Sequence, residues 1–311
     1  MDIACSTDRT YLKYCITMLL SFFDHNEGEG VCVHLLSNGL HTDDIEMVSK
    51  VVERHKAVLK AYRVDEDLLS TFTQGQSYIT PTTYARLFLP EILPNNVDKV
   101  IYLDCDLIVL DSLKPLWDFS LQDGSELAVV EDSCSANPTH YERLHLPKGH
   151  HYFNAGVLLI DLSLWRKRGF TTLAVELLRT SNLSLDYADQ DVLNILCTGR
   201  IQYLPFRYNL QEPMLRKYIP EIRDEARKEV IESLSSPAII HFTYRLKPWL
   251  YTSFHPYRKH FDYYFDQTEW RGERPIPSLK ERLRRLMWWG ASKVHLVNTY
   301  HPLPKHLKIK K

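Results

Sequence analysis

Asp104-Cys105-Asp106 follows the apolar run Val100-Ile101-Tyr102-Leu103 without a break. Carboxylates at i and i+2 near a strand end project to the same side and can share one cation. Hard oxygen ligands suit Mg²⁺ or Mn²⁺, ions that commonly also hold the phosphate oxygens of a substrate. Such a pair is also an ordinary polar strand end, so its meaning depends on what else the chain brings to it. Other groups with chemistry are Asp189-Gln190-Asp191, His241 after the apolar Ala238-Ile239-Ile240, and Lys247 six residues further on. His140, His145, His150 and His151 lack the spacing of a zinc helix or finger and are read as part of a solvent-facing loop.

The elements that must position these groups show in the hydrophobic pattern. Strands are expected over 3–6, 31–36, 58–64, 100–103, 127–130 and 157–160, with a helix over 14–23. A second helix begins at Thr42, with only an approximate capping box. Alternating strands and helices predict an α/β chain with a mostly parallel sheet covered on both faces. Ligands of such sheets bind beyond the carboxyl ends of the strands. With 311 residues, 44% hydrophobic and 25% charged, the chain is not a disordered tail, a collagen or a multi-span membrane protein. Six cysteines, at 5, 15, 32, 105, 134 and 197, form no C-x-x-C pair. Scattered thiols, and a start (Met1-Asp2-Ile3-Ala4-Cys5) without a basic n-region or apolar h-region, predict a cytoplasmic protein.

Five segments in order give the chemistry a context: Thr83-Tyr84-Ala85-Arg86-Leu87, Lys99 to Asp106, Tyr152-Phe153-Asn154-Ala155-Gly156-Val157, Asp189 to Asn194, and His241-Phe242-Thr243 with Lys247-Pro248-Trp249. Together they resemble glycosyltransferase family 8, especially its bacterial lipopolysaccharide galactosyl- and glucosyltransferases, from Met1 to about Trp249. The resemblance implies a GT-A (Rossmann-like) nucleotide-sugar-binding fold, a UDP-galactose or UDP-glucose donor, Mn²⁺ (Mg²⁺ as the substitute), and transfer with retention of configuration. It makes Asp104, Asp106 and His241 the metal ligands, and Lys247 a cation assisting departure of the diphosphate. Ser6, Thr7, Asp8, Thr10 and Tyr11 fall where the family binds uracil and ribose. Arg86, Glu131, Asn154, Ala155 and Gly156 fall where it holds the sugar and phosphate. Asp189 would accept from hexose hydroxyls and Gln190 would face the reactive carbon. An amide oxygen is a poor nucleophile, which favours front-face transfer through an oxocarbenium-like state. The chain departs from the family at Tyr244, where relatives commonly carry Gly.

Charge is divided along the chain. From Glu269 to Lys311 there are eleven Lys or Arg against three Glu, a local +8, so the preceding 268 residues sum to −9. A boundary is therefore expected at 268, separating a catalytic domain (1–268) from a basic amphipathic segment (269–311) that meets an anionic membrane surface. Leu279, Leu283, Leu286 and Met287 recur at helical spacing among basic residues and are followed by Trp288-Trp289. A glycan or lipid-linked acceptor at the inner face of the plasma membrane agrees with that location. Nucleic acid does not, because the acidic body repels phosphate. The rivals to a transferase are a non-catalytic nucleotide-sugar or glycan-binding protein and a Mg²⁺-dependent phosphotransferase using Asp104. The latter leaves Asp189-Gln190-Asp191 without a role.

Overall fold

A computed structural model describes residues 1–26, 30–64, 81–219, 221–294 and 296–307. Seven strands form the main sheet: β1 (Asp2–Asp8), β2 (Cys32–Asn38), β3 (Val58–Arg63), β4 (Lys99–Leu103), β6 (Leu127–Glu131), β7 (Phe153–Asp161) and β8 (Ile201–Tyr203), in the order β3-β2-β1-β4-β7-β6-β8. Three short strands, β5 (Leu107–Val109), β9 (Leu210–Gln211) and β10 (Ile239–His241), form a second sheet in the order β5-β10-β9. The main sheet is parallel except at β7, which runs antiparallel to both β4 and β6. Each expected strand is present, and the expected first helix spans Leu12–His25. The second helix, Thr42–Arg54, is capped from within: the Asp44 carboxylate accepts the His41 N–H at 2.9 Å.

Both faces of the main sheet are covered. On one side Ile3, Val33, Ile101 and Leu159 pack against Phe22 and Phe23 of the first helix; on the other Tyr102, Leu158 and Ile160 pack with Trp165 and Phe170. Near-continuous apolar runs in β4 and β7 follow from this double coverage.

Two departures from a simple parallel sheet build the site. Because β7 is reversed, its first residues lie beside the carboxyl end of β4, where Asp104 N–H donates to Gly156 O at 2.9 Å. The small sheet sets β10 antiparallel to β5, with His241 opposite Leu107, and Phe242 N–H donates to Asp106 O at 2.9 Å. Asp104, Asp106 and His241 are thus brought together by backbone pairing.

Residues beyond 268 pack onto the rest. Lys13 pairs with Glu273 at 3.1 Å, and Arg274 with Asp262 and Asp266 at 3.2 and 3.1 Å. The helix Leu279–Lys293 begins with a capping box between Ser278 and Glu281. Its Trp288 stacks on Phe254 at 4.0 Å, and Arg285 donates to the carbonyl oxygens of Tyr251 and Ser253. Leu279, Leu283, Leu286, Met287 and Trp289 stay exposed. Among the described residues no helix is long and apolar enough to cross a membrane. The basic segment expected over 269–311 lies partly outside them, at 295 and 308–311.

Candidate active site

One potential ligand atom each from Asp104, Asp106 and His241 lies within 4.8 Å of the others. His241 Nε2 is 3.1 Å from Asp106 Oδ1 and 3.8 Å from Asp104 Oδ2. A chain of amides fixes the imidazole. Gly156 N–H can only donate, and it donates to Asn154 Oδ1 at 3.0 Å; Asn209 Nδ2 reaches the same oxygen at 2.9 Å. Asn209 Oδ1 is therefore an acceptor and takes the proton of His241 Nδ1 at 3.0 Å. In the neutral ring this turns the Nε2 lone pair towards two carboxylates. Oxygen and imidazole lone pairs that converge so closely need a cation between them, so the donor set fits a divalent ion. Gly156 is required by the same packing: a Cβ there would enter the His241 ring and stand 2.8 Å from Asp104 Oδ2.

Cations already border this group. Lys247 Nζ donates to Asp106 Oδ2 and to Phe242 O, both at 2.5 Å. Burial disfavours ionisation of Asp106, yet the Lys247 ammonium holds its carboxyl well below the usual range. Arg86 is buried with its guanidinium 4.4 Å over the Tyr102 ring. It donates to Asp104 Oδ1 at 2.7 Å and to Ala155 O at 2.5 Å, and its Nε lies 2.8 Å from Asp189 Oδ2. Burial pushes the Asp189 carboxyl up to about 7; Arg86 opposes the shift and Asp104 adds to it.

Asp189 and Gln190 open the helix Ala188–Leu196, entered through Ala188 in the left-handed region at φ 50°. Asp191 holds this helix start: it is fully buried and accepts from Arg143 at 2.5 and 2.8 Å and from Tyr152 OH at 2.5 Å. Asn194 ties the helix to β7 by bonding Phe153 N–H and C=O at 2.9 and 3.0 Å. Gln190 is held at both ends. Its Oε1 accepts from Ala155 N–H at 3.0 Å and Asn154 Nδ2 at 3.1 Å, and its Nε2 faces Asp132 Oδ2 at 3.3 Å.

Ser6, Thr7, Asp8, Tyr11, Arg86, Asp104 and Asp106 line one cavity of about 330 Å³ at the carboxyl ends of β1 and β4. Asp8 accepts the Tyr11 N–H at 2.9 Å, and Tyr11 packs edge-on to Tyr14 and Trp249. Thr10 is exposed and outside the cavity lining. Glu131 is not brought to the site: Arg223 bonds its carboxylate at 2.9 and 2.6 Å and Ser135 donates to it as well. The acid that meets Gln190 and Asn154 is the next residue, Asp132. A register shift between Val129 and Val130 and the alternation of side chains along a strand decide which of the two neighbours points inward. Of the histidine group, His140 and His150 are buried, one stacked on Tyr152 at 4.1 Å and the other bonded to Asn194 at 2.9 Å, so they are structural. Asn209 was not legible beforehand, since no motif surrounds it.

A second ligand-like group, Asp2, Cys32 and His34, lies at the opposite end of β1 and β2. There His34 is already shared by Asp2 at 2.9 Å and Tyr62 at 3.0 Å.

The model of the family described as "Glycosyl transferase family 8" matches residues 2–253. General stress protein A of Bacillus subtilis is 26% identical over 274 residues, covering 87% of this chain and 94% of its own. The lipopolysaccharide 1,2-glucosyltransferase of Escherichia coli K12 is 25% identical over 294 residues, covering 92% and 85%. Among solved structures, galactosyltransferase LgtC, crystallised with donor and acceptor sugar analogues, is 26% identical and superimposes with a TM-score of 0.78 over 91% of this chain and all of its own. The mixed, parallel-rich sheet is thus a GT-A architecture. Sequence and architecture agree, and the chain belongs to glycosyltransferase family 8.

Proposed function

We propose that the chain transfers galactose or glucose, with retention of configuration, from UDP to a glycan acceptor such as a lipopolysaccharide core. The observation that carries this reading is the cage of Asp104, Asp106 and His241, whose two carboxylates line one cavity together with Ser6, Thr7 and Asp8. A divalent ion there, Mn²⁺ or Mg²⁺, would neutralise charge on the departing diphosphate. Asp104, Asp106 and His241 Nε2 would hold it.

The chain's own groups account for the rest. Asp8 and Tyr11 receive the uridine, while Asn154, Ala155 and Gly156 border the sugar. Asp189, ionised, accepts from hexose hydroxyls, and Arg86 holds it beside Asp104. Lys247 exchanges Asp106 for the donor phosphates and stabilises the leaving group. Gln190 presents an amide whose oxygen already accepts from Ala155 N–H and Asn154. Such an oxygen stabilises an oxocarbenium-like carbon but forms no bond to it. Proton removal from the acceptor then falls to the departing phosphate oxygen, on the front face. Names of relatives, several of them lipopolysaccharide glycosyltransferases, support the acceptor class. The exposed apolar side of helix Leu279–Lys293, flanked by Lys280, Arg282 and Arg284, supports attachment at the inner leaflet, with 269–311 as the attaching segment.

The cage is tested by calorimetric titration of UDP in Mn²⁺ and in EDTA. Tight binding in Mn²⁺ that EDTA and Asp106→Ala both abolish supports the reading; metal-independent binding contradicts it.

A further inference from the structure

A second cavity, of about 430 Å³, has Ser133, Glu212, Arg216, Tyr244, Arg245 and Leu246 in its wall. It adjoins the site through the chain: Ser133 follows Asp132, and Glu212 N–H donates at 3.2 Å to Thr243, two residues beyond His241. Three observations mark it as a place for a polyhydroxylated ligand. Ser133 is 2% exposed and its hydroxyl meets the Tyr244 side chain without a well-formed hydrogen bond, a condition that native structures reserve for special cases. Tyr244 holds φ 64°, costly for an aromatic residue, with its side chain exposed; such backbone persists where surroundings or function require it. Glu212 collects all its donors on one oxygen, Oε1, and leaves Oε2 without a bond from the described residues.

Part of this wall is supported by the C-terminal segment. Tyr300 OH donates to Glu212 Oε1 at 2.5 Å, beside Arg216 Nη2 at 2.6 Å and Nε at 3.0 Å. The Arg216 guanidinium lies 4.7 Å over the Tyr300 ring and donates to Asn298 O at 2.9 Å. Backbone bonds on either side, Lys217 N–H to Thr299 O and His301 N–H to Leu215 O, both 2.8 Å, lock the two segments together.

We propose that Tyr300 is a positioning residue for the acceptor: by fixing Glu212 and Arg216 it makes the C-terminal segment part of the acceptor-binding wall. The role rests on the hexosyl-transfer reading. It means that the segment carrying the exposed apolar helix also shapes the cavity that receives the acceptor.

The test is transfer by full-length Tyr300→Phe to a panel of glucose- and galactose-terminated oligosaccharides, with acceptor-independent UDP release measured in parallel. Loss of one hydrogen bond to a carboxylate is expected to raise acceptor KM roughly three- to tenfold. Turnover at saturating acceptor and acceptor-independent UDP release stay at the unaltered level. Glu212→Gln gives a similar rise, and the double variant is no worse than the worse single one. Amides of 210–216 exchange hydrogen faster in Tyr300→Phe. An unchanged acceptor KM, additive effects, unchanged exchange, or a parallel fall of turnover and UDP release overturns the role. No UDP release from the unaltered chain overturns the transfer reading as well, so the two failures are told apart.

Discussion

Single atoms decide the chemistry of this site. At Gly156 there is no room for a methyl group beside His241 and Asp104. Gly156→Ala is therefore expected to cost about 1–3 kcal/mol of stability through overpacking, and to abolish UDP binding in Mn²⁺ while the far-UV circular dichroism of the folded chain stays unchanged. Asp189 carries a pH signature. Its carboxyl, raised to about 7 mainly by burial, compares with about 3.9 for an unfolded Asp. The native state therefore keeps a proton that the unfolded state releases, and the part of the stability that Asp189 contributes falls as pH rises from about 4 to about 7. Burial lowers the pKa of His140, His150, His151, His255 and His260, which adds a trend of opposite sign. The signature is therefore the difference in urea midpoint in EDTA between the unaltered chain and Asp189→Asn, which should decline over that window, and Asp189→Asn should lower UDP release at least tenfold. A difference that rises with pH over the same window contradicts the assignment. Most of this constellation was legible, because Asp104, Asp106, Asp189, Gln190 and His241 sit in motifs whose residue types name their chemistry. Asn209, which sets the tautomer of His241, carries no such signal. The choice of Asp132 over Glu131 was hidden because a one-residue shift in a strand reverses the face, and a single sequence does not display the bulge that causes it.

At the scale of elements, the site depends on how short pieces are clamped. The helix Ala188–Leu196 presents Asp189 and Gln190 only because Asp191 and Asn194, on its other side, are held by Arg143, Tyr152 and β7. Asp191→Ala leaves the largely buried Arg143 with only the longer pair to Asp186 at 3.7 Å and the Ser184 carbonyl, and is expected to cost about 3 kcal/mol, seen as a lowered urea midpoint with an unchanged slope. A loss below about 1 kcal/mol would mean that the clamp is dispensable. The long strands and the first helix were legible from periodicity. The three strands of the small sheet have two or three residues each, too few for any period to register, although Ala238-Ile239-Ile240 already reads as a strand before His241. That sheet exists through long-range pairing of segments more than a hundred residues apart, Ile108 with Ile240 for example.

For the whole molecule, the division of charge was legible and the packing of the tail was not. Ion pairs of Glu273 and Arg274, the stack of Trp288 on Phe254 and the bonds of Tyr300 join residues beyond 268 to the body. They involve scattered side chains with no common spacing. The helix Leu279–Lys293 faces two ways, with Arg285 and Trp288 turned inward and Leu279, Leu283, Leu286 and Met287 outward. Binding of the full chain to vesicles containing anionic lipid should therefore weaken with salt. It should fall at least tenfold in Leu283→Asp/Leu286→Asp with UDP release in solution unchanged; equal binding by that variant would remove the helix from the interface. The central claim concerns the metal-bound donor, and it is tested most directly by UDP release from a panel of UDP-sugars in Mn²⁺ and in EDTA. The account predicts release from UDP-galactose or UDP-glucose in Mn²⁺, none in EDTA and none from Asp106→Ala. Release that persists in EDTA, or full activity of Asp106→Ala, would contradict it.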